Sequence, residues 1–245
     1  MSNDDKLSSI IRNLSLADSS LENLIANQDE LTLALESAAD YGLMITHNNG
    51  LYTLENKLKI LDKSIIYKHL ELLNSDNDIE LSIKDFVNTT TEEFDPREIK
   101  SNELKISIAE FQKQGRGRQN RKWFSPFGAG ISCSIFKHLS KNINPIGLSL
   151  YLGIRIIDAL DEIGFHGIKL KWPNDLYYKD KKLGGILVDI YQNSDLDSVI
   201  SLGIGINYCL PNNKNFNFDT KKTPIDLCSI IKDENVDRST VAGHL

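Results

Sequence analysis

Glycine and arginine alternate at the start of the run Gly115-Arg116-Gly117-Arg118-Gln119-Asn120-Arg121, which places three permanent positive charges in seven residues. Glycine lets a backbone turn tightly and lets its N–H groups come close to a ligand. The guanidinium adds a planar fork of donors matched to carboxylate and phosphate oxygens. A loop with both features suits an anionic small molecule carrying a phosphate. The other reading of such a run is a solvated basic hairpin loop. Two neighbours weigh against it: Trp123, Phe124 and Phe127 follow at once, and a second unusual stretch lies further along the chain. No Gly-Lys-Ser/Thr closes the run, so it is not a nucleoside-triphosphate P-loop.

The second stretch is Lys169-Leu170-Lys171-Trp172-Pro173-Asn174-Asp175, followed by Lys181-Lys182-Leu183-Gly184-Gly185-Ile186-Leu187-Val188-Asp189. Gln112, just before the arginine loop, can offer both a donor and an acceptor to a ligand's head group. Trp123 presents a flat face for stacking on a base, or belongs to a core. Asn174 and Asp175, after a proline, either serve a ligand site or form an Asx turn. Thr89, Thr90 and Thr91 follow a strand-like run; hydroxyls there can cap a helix start or hold a ligand.

Taken together, GRGRQNRKWFSP, KWPND and KKLGGILVD closely resemble the biotin protein ligases, the bacterial biotin–acetyl-CoA-carboxylase ligases, from about Phe86 to about Tyr208. The family usually has Gly where this chain has Asn120, and Asn where it has Thr91. The resemblance implies an α+β catalytic domain. Its core would be a mixed, mostly antiparallel sheet with helices packed on it, like that of class II aminoacyl-tRNA synthetases. It implies a cytoplasmic enzyme that joins biotin to ATP as biotinyl-adenylate, then passes it to a lysine of the biotin carboxyl carrier protein of acetyl-CoA carboxylase. By the same resemblance, biotin would be held by Thr89, Thr90, Thr91, Gln112, Gly115, Arg116, Gly117, Arg118 and Lys182. ATP would meet Arg118, Arg121, Trp123, Asn174, Asp175 and Asn207, with Asn174 and Asp175 either orienting Lys182 or helping to hold the Mg²⁺ that accompanies ATP, near Asp175. Arg116, Arg118 and Lys182 would carry the chemistry, with the N–H groups of Gly115 and Gly117 as further donors. Lipoate and octanoate ligases share this chemistry but lack the paired motifs. Nothing after Pro211 corresponds to the family's SH3-like C-terminal barrel, so a weak or inactive ligase-like protein is the alternative.

Composition bounds these readings. Forty per cent hydrophobic residues in 245 indicates a folded chain with a sizeable core. No apolar run approaches a bilayer span, and the N-terminus does not read as a signal peptide. Cys133, Cys209 and Cys228 are far apart in sequence and read as reduced, mostly buried thiols; no spacing suggests zinc. Residues 1–57 hold three basic and nine acidic residues, which accounts for the whole net charge of −6.

The elements that must position these residues follow from periodicity. Lys6–Leu14 and Leu21–Ala26 read as helices, as does Gln28–Tyr41 with Leu31, Leu33, Leu35 and Ala38 on its apolar side and Gly42 as cap. A hairpin over Leu43–Leu54, turning at Asn49-Gly50, completes a winged-helix-like unit over residues 1–60. Its candidate recognition helix carries Asp29, Glu30, Glu36 and Asp40, and no Lys or Arg occurs from Asn13 to Asn56. Duplex DNA binding needs cations on the phosphates, so a repressor role is not expected of this unit. The catalytic domain is expected over residues 61–245, with monomer and homodimer both left open. Asp62 caps a helix through Leu73. Strands are expected at Ile79–Val87, Ser107–Phe111, Gly130–Phe136, Ile168–Trp172, Leu176–Tyr178, Lys182–Tyr191 and Val199–Tyr208. The apolar repeat of Ile146–Ile163 marks a core helix ended by Gly164, and Asp226–Lys232 a short one.

Overall fold

The computed structural model describes residues 2–16, 28–54, 58–72, 76–139, 147–194, 197–211, 223–231 and 237–245. The helix expected at Leu21–Ala26 lies outside them. Helices α1 (Asn3–Leu16) and α2 (Gln28–Asp40) precede strands β1 (Ile45–Asn48) and β2 (Leu51–Leu54), which pair antiparallel. Asn49 and Gly50 take positive φ (52° and 78°), the geometry of a tight two-residue hairpin turn. Gly42 (φ 80°) ends α2, and Leu43 N–H returns to the Ala38 carbonyl at 3.0 Å. Leu31, Ala34 and Ala38 form the buried face of α2, whereas Leu33 is exposed. Helical spacing joins positions three and four apart, and Leu33 turns off that stripe.

Helix α3 (Lys63–Glu71) begins at Asp62, whose carboxylate accepts from Ser64 N–H at 2.8 Å. Strands β3 (Asp78–Val87), β4 (Glu103–Gln112) and β5 (Gly130–Leu139) follow. After helix α4 (Leu148–Glu162) come β6 (Ile168–Lys171), β7 (Asp175–Tyr178), β8 (Lys181–Ser194) and β9 (Asp197–Asn207). Two short helices, α5 (Leu227–Ile230) and α6 (Arg238–His244), close the described chain. The seven strands β3–β9 lie in the order β3-β4-β5-β9-β8-β7-β6. Every pairing is antiparallel except β3 with β4, so the fold is the mixed, mostly antiparallel α+β sheet. Leu160, Ile156 and Phe165 from the α4 region pack into one core with Ile108, Ile131, Ile186 and Ile206 of the sheet. Gly164 (φ 94°) stops α4 as its residue type predicts.

The N-terminal helices and hairpin share a second core with Phe111 and Phe127, at the end of β4 and just before β5. Arg12 grips Asp85 on β3 through two nitrogens, at 2.9 and 2.6 Å, and Lys113 reaches Asp4 at 2.6 Å. Helix α6 had no signal in the periodicity. It is anchored by Arg238, which is wholly buried and paired with the equally buried Glu110 of β4. The other Glu110 oxygen accepts from Leu61 N–H at 2.7 Å.

Candidate functional site

The parallel register that sets Val87 beside Gln112 brings the turn after β3 against the end of β4. Thr89, Thr90 and Thr91 are all buried there. The Gln112 side-chain oxygen accepts from Thr90 N–H at 2.9 Å and from the Thr89 and Thr90 hydroxyls at 3.2 Å each. Thr90 Oγ1 also meets Ser134 Oγ of β5 at 2.7 Å. With its oxygen occupied, the Gln112 amide nitrogen turns toward the arginine loop, 3.3 Å from where a Cβ on Gly115 would stand. The result is a buried, uncharged cluster of hydroxyls and a carboxamide that can pair with a polar, neutral head group.

The arginine loop is a tight hairpin. Trp123 N–H donates to the Gly115 carbonyl at 2.8 Å and Gly117 N–H to the Arg121 carbonyl at 2.7 Å, with Arg116 bridged to Lys122. Two expectations need correction here. The Gly117 N–H is spent inside the loop, so it is not a donor for an anion. Gly115 does not line the cleft; a Cβ on it would fall 2.4 Å from the Trp123 carbonyl oxygen, so glycine is required by the closeness of the two loop legs. Gln119 and Asn120 sit at the tip with φ of 58° and 56°. Asparagine tolerates that left-handed conformation better than most residues, which explains how it can stand in place of glycine. Thr91, in place of asparagine, accepts a hydrogen bond from Arg116 Nη2 at 2.8 Å and meets Thr89 Oγ1 at 3.1 Å. It therefore ties the loop's first arginine to the hydroxyl cluster. Arg118 and Arg121 are exposed.

On the other side stand residues of β7, β8 and β9. Lys182 Nζ pairs with Asp175 Oδ1 at 2.8 Å, and its ammonium lies 5.8 Å from the centre of the Trp123 ring. The indole packs on Gly205, where a Cβ would come within 2.6 Å of it. Asn174 Nδ2 donates to the Ile186 carbonyl at 2.7 Å, and Asn207 Nδ2 to the Ile225 carbonyl at 3.0 Å. Both amides thus brace backbone as well as facing the cavity. The Lys182 N–H donates to the Thr223 carbonyl at 3.0 Å and its carbonyl accepts from Ile225 N–H at 2.9 Å, which fixes the start of β8 against the 223–231 segment.

All these side chains open onto one cleft of about 520 Å³. It brings together Thr89, Thr90, Thr91, Gln112, Arg116, Gly117, Arg118, Arg121, Trp123, Asn174, Asp175, Lys182 and Asn207 from the sequence reading. Ile186, Leu187 and Ile204 supply an apolar wall, joined by Cys133, whose thiol burial pushes up to about 12 and so keeps protonated. The sequence reading missed Ser134, Lys122, Phe124 and Pro224, which also line the cleft. Ser134 had a signal, shared with Ser132: serines set in the otherwise apolar strand GISCSIF are buried polar groups that need partners. Asp175 is the one carboxylate among the lining residues, and no group of three metal-ligating side chains occurs among the described residues. An apolar wall, buried neutral hydrogen-bonding groups and exposed cations suit an amphiphilic carboxylate held beside a phosphate.

Residues 84–207, half of the 245, match the Biotin/lipoate A/B protein ligase family. The Bifunctional ligase/repressor BirA of Salmonella typhimurium is 32% identical over 193 residues, 77% of this chain and 58% of that protein. Its namesake in Escherichia coli is 46% identical over 104 residues, covering 42% of this chain and 32% of that protein. The chain thus spans under two thirds of the length of these curated relatives. The biotin protein ligase of Aquifex aeolicus, solved in complex with biotin and ATP, superposes with a TM-score of 0.52 at 29% identity, over 67% of this chain and 66% of that one.

Proposed function

We propose, for a chain that belongs to the Biotin/lipoate A/B protein ligase family, that its cleft activates biotin with ATP and passes it to a protein lysine. The biotin carboxylate attacks the α-phosphorus, the bond to pyrophosphate breaks, and biotinyl-adenylate remains. The amine of a lysine on the biotin carboxyl carrier protein of acetyl-CoA carboxylase then displaces AMP from the acyl carbon. In this reading the Thr89, Thr90, Gln112 and Ser134 cluster takes the neutral ureido head group. The wall of Ile186, Leu187 and Ile204 takes the apolar body.

The first step brings two anions together, and negative charge grows on the phosphoryl oxygens as it proceeds. Fixed cations aimed at that charge are therefore the useful catalysts. Lys182 is held half-buried by Asp175 and Trp123 for that position, with Arg116 steadied by Thr91. Arg118 and Arg121 serve the phosphates of ATP, and Trp123, Asn174 and Asn207 the nucleotide side of the cleft. Asp175 is engaged by Lys182, so Mg²⁺ would enter on the ATP phosphates themselves, where it would offset phosphate charge. Residues 61–245 form the catalytic unit in this account, acting in the cytoplasm. The acidic unit of residues 1–60 is a buttress or protein-contact surface and not an operator-binding domain.

What supports this reading above all is the meeting of two sequence-remote motifs, the arginine loop and the Asn174–Lys182 stretch, on one cavity with the threonine cluster. The test is to incubate the purified protein with Mg-ATP, a carrier domain and either biotin, lipoate or octanoate. Pyrophosphate release and one added biotinyl group on the carrier, with biotin alone, are the expected results. Release driven by lipoate or octanoate, or none with biotin, would overturn the proposal.

A further inference from the structure

Cys209 and Cys228 are nineteen positions apart in the sequence, yet the fold brings their backbones together and exposes both side chains. Cys209 directly follows Tyr208 at the end of β9, and Cys228 opens the second position of α5. Cys228 N–H donates to the Tyr208 carbonyl at 2.9 Å, and Asp226 clamps both sides: one oxygen accepts from Leu210 N–H at 3.0 Å, the other from Ser229 N–H at 2.7 Å. The reading of three separate, mostly buried cysteines is therefore corrected: only Cys133 is buried.

We infer that Cys209 and Cys228 are a dithiol modification site, closing to a reversible disulfide that pins the Thr223–Ile231 segment to the end of β9. The backbone bond already in place holds the two residues in register, so closure needs little beyond side-chain rotation. The partners are unequal. The neighbouring Cys228 thiol, with help from Lys59, holds the Cys209 thiol below its ordinary value, against desolvation and the opposing charge of Asp226. Cys228 is pushed up by the neighbouring Cys209 and by partial loss of solvent. Cys209 is thus the more readily ionised thiol, the one that attacks, and Cys228 the resolving thiol.

With oxidised glutathione as the oxidant, the Cys209 thiolate forms a bond to one glutathione sulfur, the glutathione S–S bond breaks, and one glutathione thiolate leaves. Capping removes the negative charge beside Cys228, which lowers its barrier to deprotonation. Cys228 then yields its proton to solvent and attacks the Cys209 sulfur, and the second glutathione thiolate departs. Two electrons pass from the protein to the glutathione disulfide, which ends as two thiols. A disulfide of this kind is at home as a transient, redox-sensing bond in a reducing compartment.

The pinned segment matters because Pro224 lines the cleft and Thr223 and Ile225 hold the backbone of Lys182. On the ligase reading, closing the bond changes the pyrophosphate-releasing step; the cross-link itself does not depend on that reading. The full chain is treated with oxidised glutathione, alkylated, digested and mapped without substrate. The expected map joins Cys209 to Cys228 and leaves only Cys133, alkylated on denaturation. Cys228→Ser should stop at a glutathione adduct on Cys209, and Cys209→Ser should react far more slowly at neutral pH. A second arm compares pyrophosphate release before and after oxidation and after reduction, with a change that either serine variant abolishes. Absence of the Cys209–Cys228 link, or faster capture of Cys228, overturns the site. A link with unchanged release overturns its coupling to the cleft. A reduced protein that releases no pyrophosphate counts against the ligase reading and leaves the mapping to decide the site.

Discussion

Lys182→Ala should slow adenylate formation far more than it weakens biotin binding, and the geometry gives the size of the effect. The ammonium lies 2.8 Å from Asp175, with the two side chains 24% and 15% exposed. Removing a cation from a place where charge develops in the transition state costs about 100- to 1,000-fold in rate. A second cost comes from the carboxylate left behind, which now faces the anionic reactants. Unit charges about 4 Å apart interact by about 1 kcal/mol in water and about 4 kcal/mol at an effective dielectric of 20. The partial exposure of Asp175 puts it between these limits, at about 2 kcal/mol, or roughly thirtyfold in rate. Adding Asp175→Asn to Lys182→Ala should therefore recover roughly that factor. The assay is the pyrophosphate burst with saturating biotin, beside calorimetric biotin affinity for each corner of the cycle. An unchanged burst in Lys182→Ala, or no recovery in the double variant, would refute the charge argument.

Arg118→Gly and Arg116→Gly should each weaken retention of biotinyl-adenylate by about ten- to a hundredfold, the range expected for a charge-assisted hydrogen bond; unchanged calorimetric affinity would remove the loop from the site. Thr91→Val frees Arg116 from its anchor and should raise the off-rate of the adenylate by about tenfold, with biotin binding itself altered less; equal losses for both ligands would argue for simple unpacking. Arg238→Met leaves the Glu110 carboxylate buried without its cation and should lower stability by about 3–5 kcal/mol in urea unfolding. Pairing it with Glu110→Gln should return most of that loss. The N-terminal unit should give no sequence-specific mobility shift with promoters of biotin synthesis genes at low salt, with biotin and ATP present. A salt-sensitive, specific shift would count against that reading.

Much of the sheet was legible because its strands alternate or run apolar between turn residues, and α4 because its apolar repeat persists along its length. The arginine loop and Lys182 stood out through residue type and spacing. What stayed hidden depended on contacts between remote segments. Nothing local marks Arg238 as a buried ion-pair partner or α6 as a helix worth burying. The Cys209–Cys228 proximity arises only once α5 has folded back on β9. The glycine N–H groups were misassigned because residue type reveals a capacity to approach a ligand, while the hairpin closes on itself and uses one of them.

The Glu110–Arg238 pair has a consequence for how the protein is made. The partners are 128 positions apart, so during synthesis β4 emerges long before the arginine that will neutralise it. Until then Glu110 is a carboxylate that must stay hydrated, and the strand carrying Gln112 to the cleft cannot be sealed into the core. Contacts of such long range form late. A ribosome-bound fragment ending before Arg238 would thus hold its motifs in the right order but lack the dry, settled strand on which the threonine cluster rests, and ligand capture would begin only after that residue had left the tunnel.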